Sequence, residues 1–395
     1  MSGSKRCDSV SLTPSELQGR RRRTTFFVIV LLLPVVIAAV LFRLDPFEPV
    51  LLPAHEISRP NLVAGTLARN DNMRRGSEVV GNGRVAGPED LVYDVATNVV
   101  YTGCRDGWIK RVKLSDDSVS GSEVVEDWVN TGGRPLGVAL DHGGALIVGD
   151  ANKGLLRITK DKKVELLTDE VDGLKFKLTD GVDVAKDGTI YFTDASYKYS
   201  LKEHFLDLLE GKPHGRFMSY DPKTKKTKVL VHNLYFPNGV AVSPDQQFII
   251  FCESVLMKCK KYYIEGPKKG SVEKFCDNLP GYPDNIHYDE QGQYWIGLGS
   301  GSTSELDIIF KYPLIRKALG MFAKYVVNPS IAKNGGVISV DLDGKPIAHY
   351  SDPKLALASG IKIGDHIYCG SLFYPFILRL DVKQYPAINS SSSKK

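Results

Sequence analysis

The 395-residue chain reads as an all-β protein, a six-bladed β-propeller with an N-terminal transmembrane helix. Three observations predict this. A short two-strand unit recurs six times, its recurrences follow a near-regular period, and one uncharged apolar run stands ahead of the first copy.

The clearest copy is Phe236-Pro-Asn-Gly-Val-Ala-Val-Ser-Pro-Asp-Gln-Gln-Phe-Ile-Ile-Phe251. Alternating apolar residues around Val240 and Ile250 predict two short strands, and Ser243-Pro244-Asp245 has the composition of a turn. Equivalent units begin at Gly87-Pro-Glu-Asp-Leu, Arg134-Pro-Leu-Gly-Val, Leu178-Thr-Asp-Gly-Val, Tyr282-Pro-Asp-Asn-Ile and, more weakly, Leu357-Ala-Ser-Gly-Ile. Their entry residues are Glu89, Leu136, Asp180, Asn238, Asp284 and Ser359, spaced by 47, 44, 58, 46 and 75 residues. A period in the mid-forties is that of a propeller blade. The expected organisation is a cytosolic tail over 1–23, an anchor over 24–42, and a neck with a lead-in strand over 43–86. Six blades over 87–384 and a disordered tail over 385–395 complete it.

The formal net charge of +5 is confined to the first 43 residues, where seven cations face only Asp8 and Glu16. The remainder balances 44 basic against 44 acidic residues, which argues against nucleic acid as a partner. Phe26 to Phe42 is uncharged and apolar; with Thr24 and Thr25 it spans about 28 Å as a helix, near the hydrocarbon thickness of a bilayer. Arg20 to Arg23 precede it and only Arg43 follows, which places the N-terminus in the cytosol and the bulk of the chain in a lumen. No small-residue cleavage site follows convincingly, so a retained type II anchor is expected over a cleaved signal peptide. The predicted setting is a single-pass protein of the endomembrane system, endoplasmic reticulum or vacuole, with membrane contact through this helix. There Cys252 and Cys259, flanking one hairpin, either pair or remain buried thiols, and Asn389 heads a glycosylation sequon.

Two insertions interrupt the blades. Residues 196–216 and 301–334 carry apolar residues at helical spacing and predict short helices. They are expected to cap a blade or cover the channel, with a membrane-skimming surface as the other reading.

In a propeller the inner strands line a central channel, so the entry residues converge on its axis. Glu89, Asp180, Asn238, Asp284 and Asn285 would then gather three carboxylates and two amides, joined by the uncharged channel-lining positions Leu136 and Ser359. Such a set is poorly solvated unless a cation neutralises it, and oxygen-only donors suit calcium over zinc or copper. Taken singly, an Asp or Asn before a strand is a turn-former; the shared register carries the argument. There is no GxSxG and no HExxH, and Gly81 to Gly87 reads as a loop rather than a dinucleotide site. His287, inside an inner strand, is placed among the channel-lining residues. Both His287 and His204 are read as packing or surface residues rather than catalytic bases.

Arg134-Pro-Leu-Gly137, Gly149-Asp-Ala-Asn-Lys-Gly-Leu-Leu156, Leu178-Thr-Asp-Gly-Val-Asp183 and Phe236-Pro-Asn-Gly-Val240 resemble the strictosidine synthase-like proteins of plants. The anchor and Tyr368-Cys-Gly-Ser-Leu-Phe-Tyr-Pro-Phe376 are also similar to adipocyte plasma membrane-associated proteins. The resemblance covers nearly everything after the anchor. It implies a six-bladed propeller related to paraoxonases, squid-type phosphotriesterases and gluconolactonases. It also implies a catalytic Glu at the entry of the sixth inner strand for amine–aldehyde condensation, where Ser359 stands instead. The cysteine expected before Arg-Pro-Leu-Gly is replaced by Gly132, leaving Cys104 without its implied partner. The calcium-dependent hydrolases of this fold imply a Glu, Asn, Asn, Asp-Asn ligand pattern. Glu89, Asp180, Asn238, Asp284 and Asn285 match it, with Asp for Asn at the second place. The His-Gly that precedes the second inner strand in paraoxonases is Leu136-Gly137 here. The expected activity is calcium-dependent hydrolysis of a small-molecule ester or lactone, with Asp284 as nucleophile or general base. Residual condensation and a non-catalytic metabolite- or partner-binding propeller are the alternatives.

Overall fold

Five repeats each supply a four-stranded antiparallel blade and the sixth supplies three strands of its own, so that six blades surround one axis. The computed structural model describes residues 14–53, 70–114, 124–324 and 333–387, and within the first helix its side chains are described without a break only from Val30 onward.

The inner strands are Leu91–Asp94, Pro135–Leu140, Thr179–Val184, Pro237–Val242, Gly281–Tyr288 and Ser359–Ile363. Each pairs with the following apolar strand, as the alternation of the repeat predicts. The ring is closed by sequence-distant pairing. Glu78–Val80 adds to Ile377–Asp381 as the outer strand of the sixth blade, with Glu78 opposite Arg379. The lead-in strand is therefore part of the propeller, which begins nine residues before the expected boundary at 87. Blade faces are β-branched and aromatic, so neighbouring blades pack face to face. Ala139, Ile147, Val182, Phe192 and Met218 join the second and third blades, and Val240, Ile249 and Phe251 meet Tyr191 and Phe217 between the third and fourth.

The helices are α1 (Pro14–Leu44), α2 (Asn72–Gly76), α3 (His204–Glu210), α4 (Ser304–Lys311) and α5 (Pro313–Ala323). The last three come from the two predicted insertions and lie together over one mouth of the channel. Arg316 of α5, fully buried, donates to the carbonyls of Leu209 and Glu210 at the end of α3 and to Val50. That bond set meets the unsatisfied carbonyls of a helix C-terminus with a cation.

Among the described residues no helix is long and apolar enough to cross a membrane. The anchor expected over 24–42 lies in α1, partly outside the described side chains. Residues 1–13 of the tail expected to be cytosolic, neck residues 54–69 and Asn389 also lie outside the described residues. At the other end, Tyr385 packs on the core and Ala387 donates its N–H to the Tyr350 hydroxyl at 3.1 Å. Ordered chain thus reaches past the boundary expected at 385. Cys252 and Cys259 face each other across one hairpin and form a disulfide, while Cys104, Cys276 and Cys369 are buried free thiols.

Candidate functional site

Four of the six inner strands depart from regular pairing where their entry residues sit. Register shifts lie between Pro135 and Val138, Thr179 and Val182, Pro237 and Val240, and Pro283 and Ile286. A bulge frees its residues from the ladder and re-aims their side chains, here Leu136, Asp180, Asn238, Asp284 and Asn285. The glycine that follows in three copies allows close approach at the axis. A Cβ at Gly137 would stand 2.4 Å from the Asp180 carbonyl, and one at Gly181 2.4 Å from that of Asn238. At Gly239 it would meet the Asp284 carbonyl at 2.6 Å.

A second layer fixes the approach to each strand. Acidic residues ending the second strands accept backbone N–H groups just upstream of the entries. Asp150 takes that of Arg134 at 3.0 Å, Asp194 that of Leu178 at 2.9 Å, and Glu253 that of Tyr235 at 2.9 Å. Asp194 is held in turn by Arg216 at 2.6 Å. Nothing in the local sequence marks these acids as partners, since the pairing depends on the hairpin registers.

Glu89, Leu136, Asp180, Asn238 and Asp284 all line one cavity of about 370 Å³. Its upper wall comes from the insertions: Leu201, His204, Phe205 and Leu208 from the first, Leu306 and Phe310 from α4. Asn285 donates its side-chain N–H to Glu89 Oε1 at 2.6 Å. The set predicted from the repeats is therefore brought together, with acids at the floor and apolar residues above.

Burial raises the carboxyls of Glu89 and Asp284 well above their ordinary range, and the neighbouring Asp180 and Asp90 charges push the same way. Asp180 is pushed up to about 7, first by burial and then by Asp90, with Arg134 opposing. Crowded, desolvated carboxylates behave this way when nothing neutralises them. Three buried oxygens find no hydrogen-bond donor: Glu89 Oε2, Asp180 Oδ1 and Asn238 Oδ1. Buried polar atoms are ordinarily partnered, so three orphans on one predicted ligand set fit a hard cation in their donor chemistry. Among the described residues no group of three His, Cys, Asp or Glu side chains is placed to hold a metal ion, so the fit rests on the unpartnered oxygens of Glu89, Asp180 and Asn238.

Two channel-lining expectations need correction. Ser359 and His287 do not line this cavity; Ala358 does. The Ser359 hydroxyl is fully buried and donates to Asp90 Oδ1 at 2.8 Å, and His287 Nε2 meets the same oxygen at 2.6 Å. Asp90 Oδ2 accepts the Val138 N–H at 3.1 Å. These residues form a separate polar knot tying the first, second, fifth and sixth blades. Asp90 directly precedes the first inner strand, and its carboxylate is taken up by Ser359, His287 and the Val138 N–H rather than by the cavity.

Of the two readings for His204, packing or surface, the structure supports packing. His204 lines the cavity, and its Nδ1 is 2.6 Å from the Leu201 carbonyl, a contact only an N–H can make favourably. Burial holds the imidazole below its ordinary pKa despite that bond. Nε2 is left as a lone-pair acceptor. The signal in the sequence was its helical spacing with Leu201, Phe205 and Leu208, which sets all four on the lid's inner side.

The fold and site define a six-bladed propeller whose oxygen-rich channel floor lies under a helical lid. Residues 180–267 match the strictosidine synthase family and residues 65–112 the strictosidine synthase-like N-terminal family. Strictosidine synthase-like protein 7 of Arabidopsis thaliana is 54% identical over 355 residues, 89% of this chain and 94% of that one. Human adipocyte plasma membrane-associated protein is 31% identical over 368 residues, 88% and 86% of the two chains. The chain belongs to the strictosidine synthase-like family. In fold it is similar to a Xanthomonas campestris gluconolactonase, with a TM-score of 0.56, 16% identity and coverage of 86% and 99%. It is likewise similar to a calcium-binding regucalcin of Agrobacterium tumefaciens, with a TM-score of 0.53, 14% identity and coverage of 76% and 92%.

Proposed function

We propose that the protein is a calcium-dependent hydrolase of esters or lactones, held on the lumenal side of an endomembrane by α1. The observation that carries this reading is the trio of unpartnered buried oxygens on Glu89, Asp180 and Asn238 beneath an apolar cavity. Names borne by the fold relatives, gluconolactonase and calcium-binding regucalcin, agree with it.

Glu89, Asp180, Asn238 and Asp284 would hold the calcium ion, with Asn285 holding Glu89 in place. Bound there, calcium supplies Lewis-acid polarisation of a carbonyl oxygen. Asp284 takes a proton from water as the water oxygen bonds to the acyl carbon; when the acyl carbon–oxygen bond breaks, the Asp284 carboxyl returns that proton to the leaving oxygen, giving an acid and a hydroxyl group. Asn238 bonds the Asp284 carboxyl and favours its ionised, basic form. Gly299 gives that carboxylate room, since a Cβ there would stand 3.1 Å from Asp284 Oδ2. His204 Nε2 offers a second proton acceptor on the lid side, and Phe236, Phe310 and Leu372 exclude water around the acyl group.

Condensation of an amine with an aldehyde is not favoured. The sixth inner strand presents Ala358 to the cavity and turns the Ser359 hydroxyl to Asp90, so no carboxylate stands there to take the proton. The disulfide and the sequon Asn389 suit an oxidising lumen. The test is hydrolysis of aryl esters and lactones by full-length protein, with and without chelator. Chelator-sensitive turnover that Asp284→Ala abolishes is expected. Turnover surviving either treatment would remove the mechanism.

A further inference from the structure

Helix α5 is built inside out. Its buried side carries Arg316 and Gly320, four residues apart, and its opposite side carries Leu314, Ala318 and Phe322. Leu314 is 71% exposed and Phe322 60%, with Ile315, Ile308 of α4 and Tyr312 at the junction of the two helices also exposed. A helix on a water-facing surface turns its apolar stripe to the core and its charges outward. Here the guanidinium points in and the apolar stripe points out, with no charged residue at positions 314, 315, 318 or 322.

The neighbour of this face indicates what covers it. The end of α1 abuts α5: Lys317 Nζ donates to the Asp45 carbonyl at 3.0 Å, and Lys324 Nζ pairs with the Asp45 carboxylate at 2.9 Å. Phe47 packs on Gly320, where a Cβ would stand 2.2 Å from its ring. From Val30 to Leu44 the large apolar side chains of α1 are themselves mostly exposed to the surroundings. The mostly exposed apolar side chains of α1 from Val30 onward and the inverted helix fastened to its end thus stand side by side. Lys311 on α4, Lys317 on α5 and Lys324 just after α5 supply cations on the same hairpin, the last two fastened to Asp45.

From this arrangement we infer that the α4–α5 hairpin beds its outer face in the bilayer beside α1, and that the cavity beneath it takes amphiphiles dissolved in that bilayer. The same hairpin carries both surfaces. Leu306 and Phe310 of α4 line the cavity, while Ile308 between them faces out. A ligand with a long acyl chain can therefore pass from lipid to cavity along one helix without crossing water. The membrane part rests on the anchor reading of α1. The ligand class deepens the hydrolase reading at the same cavity but does not depend on turnover.

The test uses the full chain reconstituted in phosphatidylcholine vesicles containing brominated acyl chains, which quench tryptophan at bilayer depth. Phe322→Trp is compared with Leu31→Trp in α1 and with the native protein, whose Trp108, Trp128 and Trp295 lie in the blades. Quenching of both added tryptophans is expected. Quenching at 31 without quenching at 322 overturns the inference and leaves the anchor standing. Quenching at neither removes both. An unquenched Phe322→Trp whose mass in detergent falls from dimer to monomer on Leu314→Asp assigns the face to a second copy of the chain, and also overturns it.

The ligand is probed with an unreactive long-chain aryl alkyl ether and its short-chain, water-soluble analogue. Leu314→Asp with Phe322→Asp is expected to weaken the long-chain ether by about tenfold or more, and the short one by little. Equal effects on the two, or none on either, overturn the loading route whether or not any ester is hydrolysed.

Discussion

Replacing Asp180 with asparagine removes one of three carboxylates that share the channel floor. In the folded protein its carboxyl is pushed from 3.8 up to about 7, by burial first and then by Asp90. At roughly 1.4 kcal/mol per pH unit, ionising it costs on the order of 4 kcal/mol of folding free energy when no cation is present. The folded-state pKa lies above the unfolded one, so the penalty is absent below about pH 4. It grows between the two values and is complete above about pH 7. Asp180→Asn should therefore match the wild type in chelator at acid pH and exceed it at pH 8 by up to about 4 kcal/mol. For a domain of this size that is several degrees in Tm. In millimolar calcium the order should reverse, because the wild type keeps a ligand charge that the variant lacks. Thermal unfolding by circular dichroism, over pH in chelator and in calcium, reads all of this. A variant less stable than wild type in chelator at pH 8 would refute the crowding argument and show that Asp180 is neutralised within the protein.

Other outcomes follow from the same geometry. Burial draws the His287 imidazole down, but the Asp90 carboxylate at 2.6 Å outweighs it, so the folded pKa is raised. Its stabilisation is complete below about 6.5 and is lost as pH rises through the folded value, so His287→Gln should cost about 1–3 kcal/mol at pH 6 and little at pH 9 in urea unfolding. Asp194→Ala leaves Arg216 buried without its partner and frees the Leu178 N–H, so a loss of about 3–5 kcal/mol is expected in the same assay. Gly299→Ala places a Cβ against Asp284 Oδ2 and should lower turnover while leaving Tm near the wild-type value. A Tm drop of many degrees there would mean that Gly299 serves the fold rather than the site. His204→Gln keeps the bulk and removes the basic Nε2, so kcat should fall with KM nearly unchanged; an unaltered kcat would exclude proton transfer at that atom.

Five of the six entry residues were legible because a propeller converts a linear period into a ring, and Asp180, Asn238 and Asp284 share one register with a small or amide residue after each. That register also predicted the cavity wall at Leu136. It failed at Ser359, where the spacing is longest and the copy weakest: the cavity meets Ala358, one residue earlier, and the Ser359 hydroxyl bonds Asp90 instead. Asp90 itself was hidden, being read only as the neighbour of Glu89. The carboxylates Asp150, Asp194 and Glu253 were illegible because their backbone partners lie 16 to 18 residues away across a hairpin. Ring closure by Glu78–Val80 was half visible: a strand was expected there, but its partner lies about 300 residues on, at Arg379. The insertions announced helices by spacing, which grouped Leu201, His204, Phe205 and Leu208 on one face, but for α5 spacing alone puts the apolar stripe on the wrong side. Arg316 settles which side of α5 faces inward, because a buried guanidinium needs the carbonyls of α3.

Calcium titration of the purified, chelator-stripped full-length chain by calorimetry tests the central claim most directly. The account predicts one tightly bound ion per chain, with release of protons from the crowded carboxyls at pH 6.5, and loss of binding in Glu89→Gln and Asp284→Asn. Folded protein that binds no calcium at millimolar concentration, or binds it equally in those two variants, would contradict it.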